Sequence, residues 1–212
     1  MKIDVGCRSQ RILNDVERGG RLGIDVKKLG TGTKKDFLYF FDEVGFVDNK
    51  DWSGCYCQFY LEDFTDEEWE KRTPEGNREA AIRRIDEGDM KGFIAYQDGK
   101  PVGWCHANLK KEIAAYREVA GSLDAIIACF VIAPGHRRQG IATKLLDEVV
   151  RQFRKDGYES IEAYPVKGTE RTDFNYHGFL PMYERAGFRI VGESERYYTV
   201  KLDLKTGEVD LV

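Results

Sequence analysis

Between Asp124 and Phe153 the chain passes from an almost unbroken apolar run, Ala-Ile-Ile-Ala-Cys-Phe-Val-Ile over 125–132, through a Pro-Gly turn into a helical stripe. An apolar run without polar alternation predicts a strand covered on both faces, at the centre of a sheet. Pro134 has no N–H to give, so sheet pairing stops there. Ile141, Leu145, Leu146, Val149, Val150 and Phe153 then recur at helical spacing, and Gly157 ends the helix. Glu159 to Tyr164 reads as the next strand. A chain with this unit must build a layered α/β domain around it. With 42% apolar residues in 212, there is enough material for such a core.

Upstream, the pattern is that of a hairpin half. Ile24 to Leu29 alternates like a strand, and Phe37, Phe40, Phe41 and Val44 follow at helical spacing, with Thr33 as the expected cap. Tyr56 to Leu61 alternates and predicts an extended segment. Thr65-Asp-Glu-Glu68 has the form of a capping box and opens a helix, divided at Pro74 and Gly76 from a second one that runs to about Glu87. Gly92–Gln97 and Val102–Ala107 flank Asp98-Gly99, a pair that tolerates the positive φ angles of a tight hairpin. Residues 110–123 read as a loop. Downstream, a short helix over Phe179–Ala186 is capped by Gly187, and the strands Phe188–Val191 and Tyr197–Leu202 close the sheet. Residues 1–23 are read as an N-terminal extension and 24–212 as a single domain.

Composition narrows the function classes. A net charge of −4 gives no global basic field, so neither nucleic acid nor an anionic membrane is expected as a partner. No apolar run reaches the length of a bilayer span, and the N-terminus lacks the apolar segment of a signal peptide. Five cysteines, scattered through strand-like segments, suit a reduced, cytoplasmic protein better than a disulfide framework. Cys55-x-Cys57 with Cys105 lacks the spacing and the fourth ligand of a structural zinc site, so no metal is expected. Gly30-Thr-Gly32 is not a dinucleotide turn, because Lys35 stands at the third small position.

The turn after the central strand carries the chemistry. Arg137-x-x-Gly140-x-Ala142 puts small residues where a helix begins, and the first N–H groups of a helix have no internal partner and a favourable dipole for anions. Gly140 and Ala142 leave the approach open, Arg137 and Arg138 add positive charge, and Thr143 adds a hydroxyl. The segment Phe130-Val-Ile-Ala-Pro-Gly-His-Arg-Arg-Gln-Gly-Ile-Ala-Thr143 resembles the GNAT superfamily of acetyltransferases, whose signature is Arg/Gln-x-x-Gly-x-Gly/Ala between an apolar strand and an apolar helix. Met182-Tyr-Glu-Arg-Ala-Gly-Phe188 resembles that family's Tyr-x-x-x-Gly-Phe pattern. The resemblance implies the GNAT α/β (α+β) fold: a mixed, mostly antiparallel sheet with helices on both faces and a central parallel pair splayed around the cofactor. It implies acetyl-CoA as acyl donor. The pyrophosphate would lie on Arg137, Arg138, Gln139, Gly140, Ile141, Ala142 and Thr143, and the pantetheine arm on the backbone of Phe130, Val131 and Ile132.

A thioester brings its own activation, so acyl transfer needs no protein nucleophile, but it has two proton problems. A lysine-like ammonium is only about 0.04% neutral at pH 7, a cost of roughly 4–5 kcal/mol. The departing thiolate gains from a proton donor, and by the resemblance Tyr183 is that donor. Some family members carry an acid on the central strand at the position of Ile126. Asp124, two residues earlier on the same face, is the carboxylate expected as the base, with Glu162 on the neighbouring strand second. Many members have an asparagine seven residues before the tyrosine. Tyr176 stands there, with Asn175 beside it, which points to an altered pantetheine contact and acceptor side.

The expected activity is that of an N-acetyltransferase, moving an acetyl or short acyl group from acyl-CoA to the amine of a small molecule by direct attack in a ternary complex. A protein or peptide N-acetyltransferase and a non-catalytic acyl-CoA sensor are the competing readings, and a homodimer is compatible with the sequence. Acceptor choice rests on residues 50–120 and the 165–178 loop. Tyr56, Tyr60, Trp104, Tyr164 and Tyr176 are candidate pocket rings, His177 a candidate edge of that pocket, and the acidic run Glu62–Glu70 a candidate attractor of cations, while His136, in the phosphate turn, is a candidate partner of the CoA phosphate.

Overall fold

The computed structural model describes residues 23–118, 121, 123–168 and 173–205. The extension expected over 1–23 falls, but for Gly23, outside them. Seven strands form one sheet: β1 Ile24–Lys28, β2 Phe93–Gln97, β3 Lys100–Leu109, β4 Asp124–Ile132, β5 Ser160–Ala163, β6 Arg189–Glu193 and β7 Tyr198–Asp203, in the order β1-β2-β3-β4-β5-β7-β6. Every pairing is antiparallel except β4 with β5. The β2–β3 hairpin turns on Asp98 and Gly99 at φ 51° and 76°, the geometry that an Asp-Gly pair supplies at least cost.

Helices cover both faces. On one lies α4 (Ile141–Lys155), whose six-residue apolar stripe is entirely buried against the sheet. At about 2 kcal/mol per buried large side chain, that stripe is the largest single block of hydrophobic stabilisation from one helix. The other face carries α1 (Lys34–Tyr39, prolonged by a wider turn over Phe40–Val44) and α3 (Pro74–Glu87), packed on Ile94, Trp104, Ile126 and Cys129. The short helices α2 (Asp66–Glu70) and α5 (Leu180–Arg185) flank the sheet's central gap. Thr65 and Glu68 close the expected capping box at the start of α2. Pro74 is the first residue of α3 rather than a break within a helix, with Thr73 accepting from the Gly76 N–H.

Two expectations fail. Thr33 does not cap α1: its hydroxyl donates to the Lys28 carbonyl and accepts from the Gly30 N–H, both at 3.0 Å, tying the strand end to the turn instead. Residues 56–61 are not extended. A 3-10 turn over Lys50–Cys55 leads into Tyr56 and Cys57, both left-handed at φ 41° and 54°. Tertiary partners override the alternating pattern there. The Tyr56 hydroxyl donates to Asp42 at 2.6 Å, and the Cys57 sulfur receives the Trp104 indole N–H at 3.1 Å.

Strand β4 positions the site. Ala107 pairs with Ile127 and His106 with Cys129, so Ala128 is an extra residue, a bulge. Side-chain parity inverts there. Ala125 and Ile127 face the α4 core before the bulge, and Phe130 and Ile132 after it. Pairing with β5 ends at the same place, with Ile127 opposite Ala163. Beyond it the next backbone on that side is Val166, which bridges Phe179 and Tyr197. The parallel pair therefore parts at Ala128, as expected of the splayed pair.

Candidate active site

The gap opens into a cleft of 1260 Å³. One wall is the second half of β4 (Cys129 to Ile132) with the turn and first residues of α4. The other is α5 with Asn175, Tyr176 and Gly178, and residues drawn from 45–77 complete the lining. Gly140 stands before α4 in the left-handed region at φ 82°, which only glycine adopts cheaply. Among the described residues no side chain caps the helix, so the leading N–H groups, carried by residues that line the cleft, are without a partner among those residues. This is an anion-accepting terminus on a four-turn helix.

The cationic groups beside it differ in their commitments. The Arg137 Nε donates to the Ile132 carbonyl at 3.0 Å and its fork pairs with Asp48, so this arginine braces the turn against residues 45–49. Arg138, at φ 62°, and Arg185 on α5 are exposed, line the cleft and form no ion pair among the described residues. His136 also lines it, with Nδ1 buried and unpartnered among those residues. Gln139 does not line it; its amide donates to the Gly135 carbonyl at 3.0 Å and stiffens the turn.

Phe130, Val131 and Ile132 line the unpaired stretch of β4. His177 reaches the bulge from the opposite side and donates to the backbone of Ala128. Burial drives its imidazole down to about 4 against the opposing pull of that bond, so the ring is neutral at pH 7. Asn175 lines the cleft with its Oδ1 buried and unpartnered among the described residues. Tyr176, at the position where many family members carry an asparagine, lines the cleft beside it.

Tyr183 is fully buried between Phe130 and Phe188, and its hydroxyl donates to the His177 carbonyl at 2.8 Å. Burial holds the phenol well above its ordinary range, hence protonated. Tyr183 does not itself line the cleft, but Gly178 does and packs against it: a Cβ there would come within 3.5 Å of the hydroxyl and 2.8 Å of Met182 Cε. Asp124 lies elsewhere. At the opposite end of β4 it takes the Ser160 hydroxyl at 2.6 Å and the Gly121 N–H at 3.1 Å, and these bonds, the Ser160 one first, hold its carboxyl below the usual range. It does not line the cleft, and neither does Glu162, which pairs with Lys110. The period-2 argument placed Asp124 on the right face but at the wrong end, four residues before the bulge.

Of the candidate rings, Tyr60 and Tyr176 line the cleft. Trp104 is core, Tyr164 stacks on Tyr116, and Tyr56 is tied to Asp42. Of the acidic run only Glu70 lines the cleft; Glu62 pairs with Arg84 and Glu67 with Lys71. Three thiols line it as well, those of Cys55, Cys57 and Cys129, the last two with Sγ atoms 3.0 Å apart. Side-chain bonding to Cys57 and burial raise the Cys55 thiol, and burial raises that of Cys57, so neither is a thiolate nucleophile. Among the described residues no group of three or more His, Cys, Asp or Glu is placed to hold a metal, and no helix is long and apolar enough to cross a membrane. Sequence reading missed Asp48, Trp52 and Trp69. A tryptophan beside an acid, in Asp51-Trp52 and in Trp69-Glu70, was the available signal.

A mixed seven-stranded sheet that parts at its one parallel pair, with an uncapped helix terminus at the mouth of the gap, is the GNAT fold. Residues 59–188, more than half of the chain, match the model of the acetyltransferase (GNAT) family, and the chain belongs to that family. Its fold is similar to that of an N-acetyltransferase from Staphylococcus aureus Mu50 (14% identity, TM-score 0.53, covering 86% of this chain and 99% of that one). It is similar also to the PaiA N-acetyltransferase from Thermoplasma acidophilum in complex with coenzyme A (14%, 0.51, 85% and 99%). A GCN5-related N-acetyltransferase from Kribbella flavida is a third (15%, 0.54, 85% and 97%). No curated protein matches the chain.

Proposed function

We propose that the protein transfers an acetyl group from acetyl-CoA to the amine of a small molecule, by direct attack in a ternary complex. The observation that carries this reading is the meeting, in one cleft, of the uncapped α4 terminus and the unpaired edge of β4. The first suits a pyrophosphate, with Arg138, Arg185 and His136 as side-chain partners. The second offers the backbone of Phe130, Val131 and Ile132 to the amides of a pantetheine arm, with Asn175 across the slot. An arm lying there brings its thioester toward Ala128 and the acceptor end. The Staphylococcus and Thermoplasma relatives are called N-acetyltransferases, and the second holds coenzyme A, which supports the choice of donor.

The protons follow from the same geometry. Tyr183 holds its proton at neutral pH and packs against Gly178, which lines the cleft, so we assign it the donor role toward the leaving thiolate, its hydroxyl turning from the His177 carbonyl. Neither β4 nor β5 brings a carboxylate to the bulge, and the ammonium proton leaves through water in the open cleft. The raised Cys55 and Cys57 thiols favour direct attack over an acyl-cysteine route. A small acceptor is favoured over a peptide because the Trp52 and Tyr176 rings, from two separate segments, are in contact at 5.3 Å in the lining of the cleft, where a peptide needs an open groove.

Thiol release from acetyl-CoA, screened against polyamines, amino acids, aminoglycosides, arylalkylamines and peptides, tests the reading together with direct binding of CoA. Release with small amines supports it. Binding without release from any amine would leave an acyl-CoA sensor, and absence of binding would remove the donor assignment.

A further inference from the structure

The acceptor end of the cleft is walled by an unbroken arc of rings. Trp52 contacts Tyr176 with centroids 5.3 Å apart, Tyr176 contacts His177 at 4.3 Å, and His177 contacts Tyr60 at 6.4 Å. Tyr60 contacts Phe59 at 5.4 Å, and Phe59 contacts Trp69 at 5.1 Å. All but His177 line the cleft, and none of those five is fully buried, so each offers unoccupied ring surface to it. The rings come from three separate segments: the 3-10 turn with the residues after it, α2, and the turn before α5.

Charge is distributed on the arc in a definite way. Asp51 precedes Trp52 at one end and Glu70 follows Trp69 at the other. Both carboxylates are exposed, both line the cleft, and neither has an ion-pair partner among the described residues. The cation of this half, Arg72, is already engaged by Glu62, by Asn77 and by the Phe64 ring. Of the uncommitted arginines, Arg138 belongs to the turn before α4 and Arg185 to the last turn of α5. An acceptor entering this half meets aromatic faces and negative potential, and among the described residues the 45–77 segment brings no unpaired cation to the cleft to receive a carboxylate or phosphate. Ring faces attract organic cations as well as flat apolar bodies, and the two effects add for one class of ligand.

We infer that the acceptor is an arylalkylamine: an aromatic body on a protonated primary amine, without an acidic group. The inference rests on the acetyltransferase reading above and names its substrate class. Asp51 and Glu70 draw in the cation, the arc holds the ring, and the amine reaches the thioester beside Ala128 once it has lost its proton. Polyhydroxylated amines find few polar partners on such a wall. Amino acids bring a carboxylate that it repels.

The test uses matched acceptors with the full chain and saturating acetyl-CoA: tryptamine, tryptophan and putrescine. The expected result is a kcat/KM for tryptamine at least tenfold above both others. Trp52→Ala should lower that value about tenfold, at an unchanged KM for acetyl-CoA. Because Trp52→Ala can disturb the 50–60 turns, Glu70→Gln at an exposed position is the second variant. It should raise the KM for tryptamine severalfold while leaving kcat in place. Turnover of putrescine or tryptophan equal to or better than that of tryptamine overturns the inference and leaves acyl transfer standing. Release from no amine, with acetyl-CoA bound, overturns both together.

Discussion

The two ends of the cleft are built by opposite means. The donor end is regular structure, a strand edge and a helix terminus, and it presents backbone groups. The acceptor end is a set of turns, two residues of which are left-handed without being glycine, and it presents side chains. Backbone recognition suits a ligand that never changes, because main-chain N–H and C=O groups survive most substitutions. Side-chain recognition suits a ligand that differs between relatives, since a single mutation rewrites the contact. The division explains why a family signature sits on one end and none on the other.

Breaking the donor end should have the largest effect. Gly140→Val puts a β-branched residue at φ 82° and a side chain over the helix terminus. Losing about 3 kcal/mol of charge-assisted backbone contacts would weaken acetyl-CoA roughly a hundredfold, whichever acceptor is present. Calorimetric titration measures it, and near-normal affinity would separate the turn from the cofactor. At the seam of the two ends, Tyr183→Phe should lower kcat by about tenfold to a hundredfold with the KM for acetyl-CoA little changed. Unaltered turnover would return Tyr183 to a packing role under the His177 carbonyl.

Behind the acceptor end, His106 stacks on Trp104, fully buried, with both ring nitrogens unpartnered among the described residues, and burial lowers its pKa to about 4. Above pH 6.5 folded and unfolded chains both carry it neutral, and it contributes no pH dependence. Between 6.5 and about 4 only the unfolded chain takes up the proton, so stability falls with falling pH, by up to about 1.4 kcal/mol per unit for this residue. His177 acts in the same direction over the same window. Urea midpoints between pH 7.5 and 5 should show the fall, and His106→Leu should flatten it by roughly half. The smallest effect is expected from the thiols. Cys57→Ala and Cys129→Ala should each cost about 1–2 kcal/mol of stability yet keep turnover within about twofold, because no acyl-cysteine forms. Complete loss of turnover in a folded variant would argue for a covalent route.

What the sequence disclosed follows the same division. The β4–α4 unit was legible because a buried strand, a glycine turn and an amphipathic helix are each local patterns, and the Asp98-Gly99 hairpin likewise. Residues 56–61 were illegible because their alternation is real but their conformation is settled by Asp42, Trp104 and Cys129, far away in the chain. Asp124 was misplaced for a different reason. Periodicity reports which face of a strand a residue occupies and says nothing about which end of it borders a cavity. Neither could the bulge be read, since Ala128 is one small residue within an apolar run.

That bulge makes β4 two strands welded out of phase. Up to Ile127 the backbone is spent on both neighbours; past it, one edge is surplus. A deletion of Ala128 would put the halves back in step while leaving Phe130 and Ile132 toward α4 and Cys129 and Val131 toward the Trp104 side, as they are now. The sheet could then close over the gap with a continuous ladder, and the chain would be a tidier fold with nowhere for a ligand to lie.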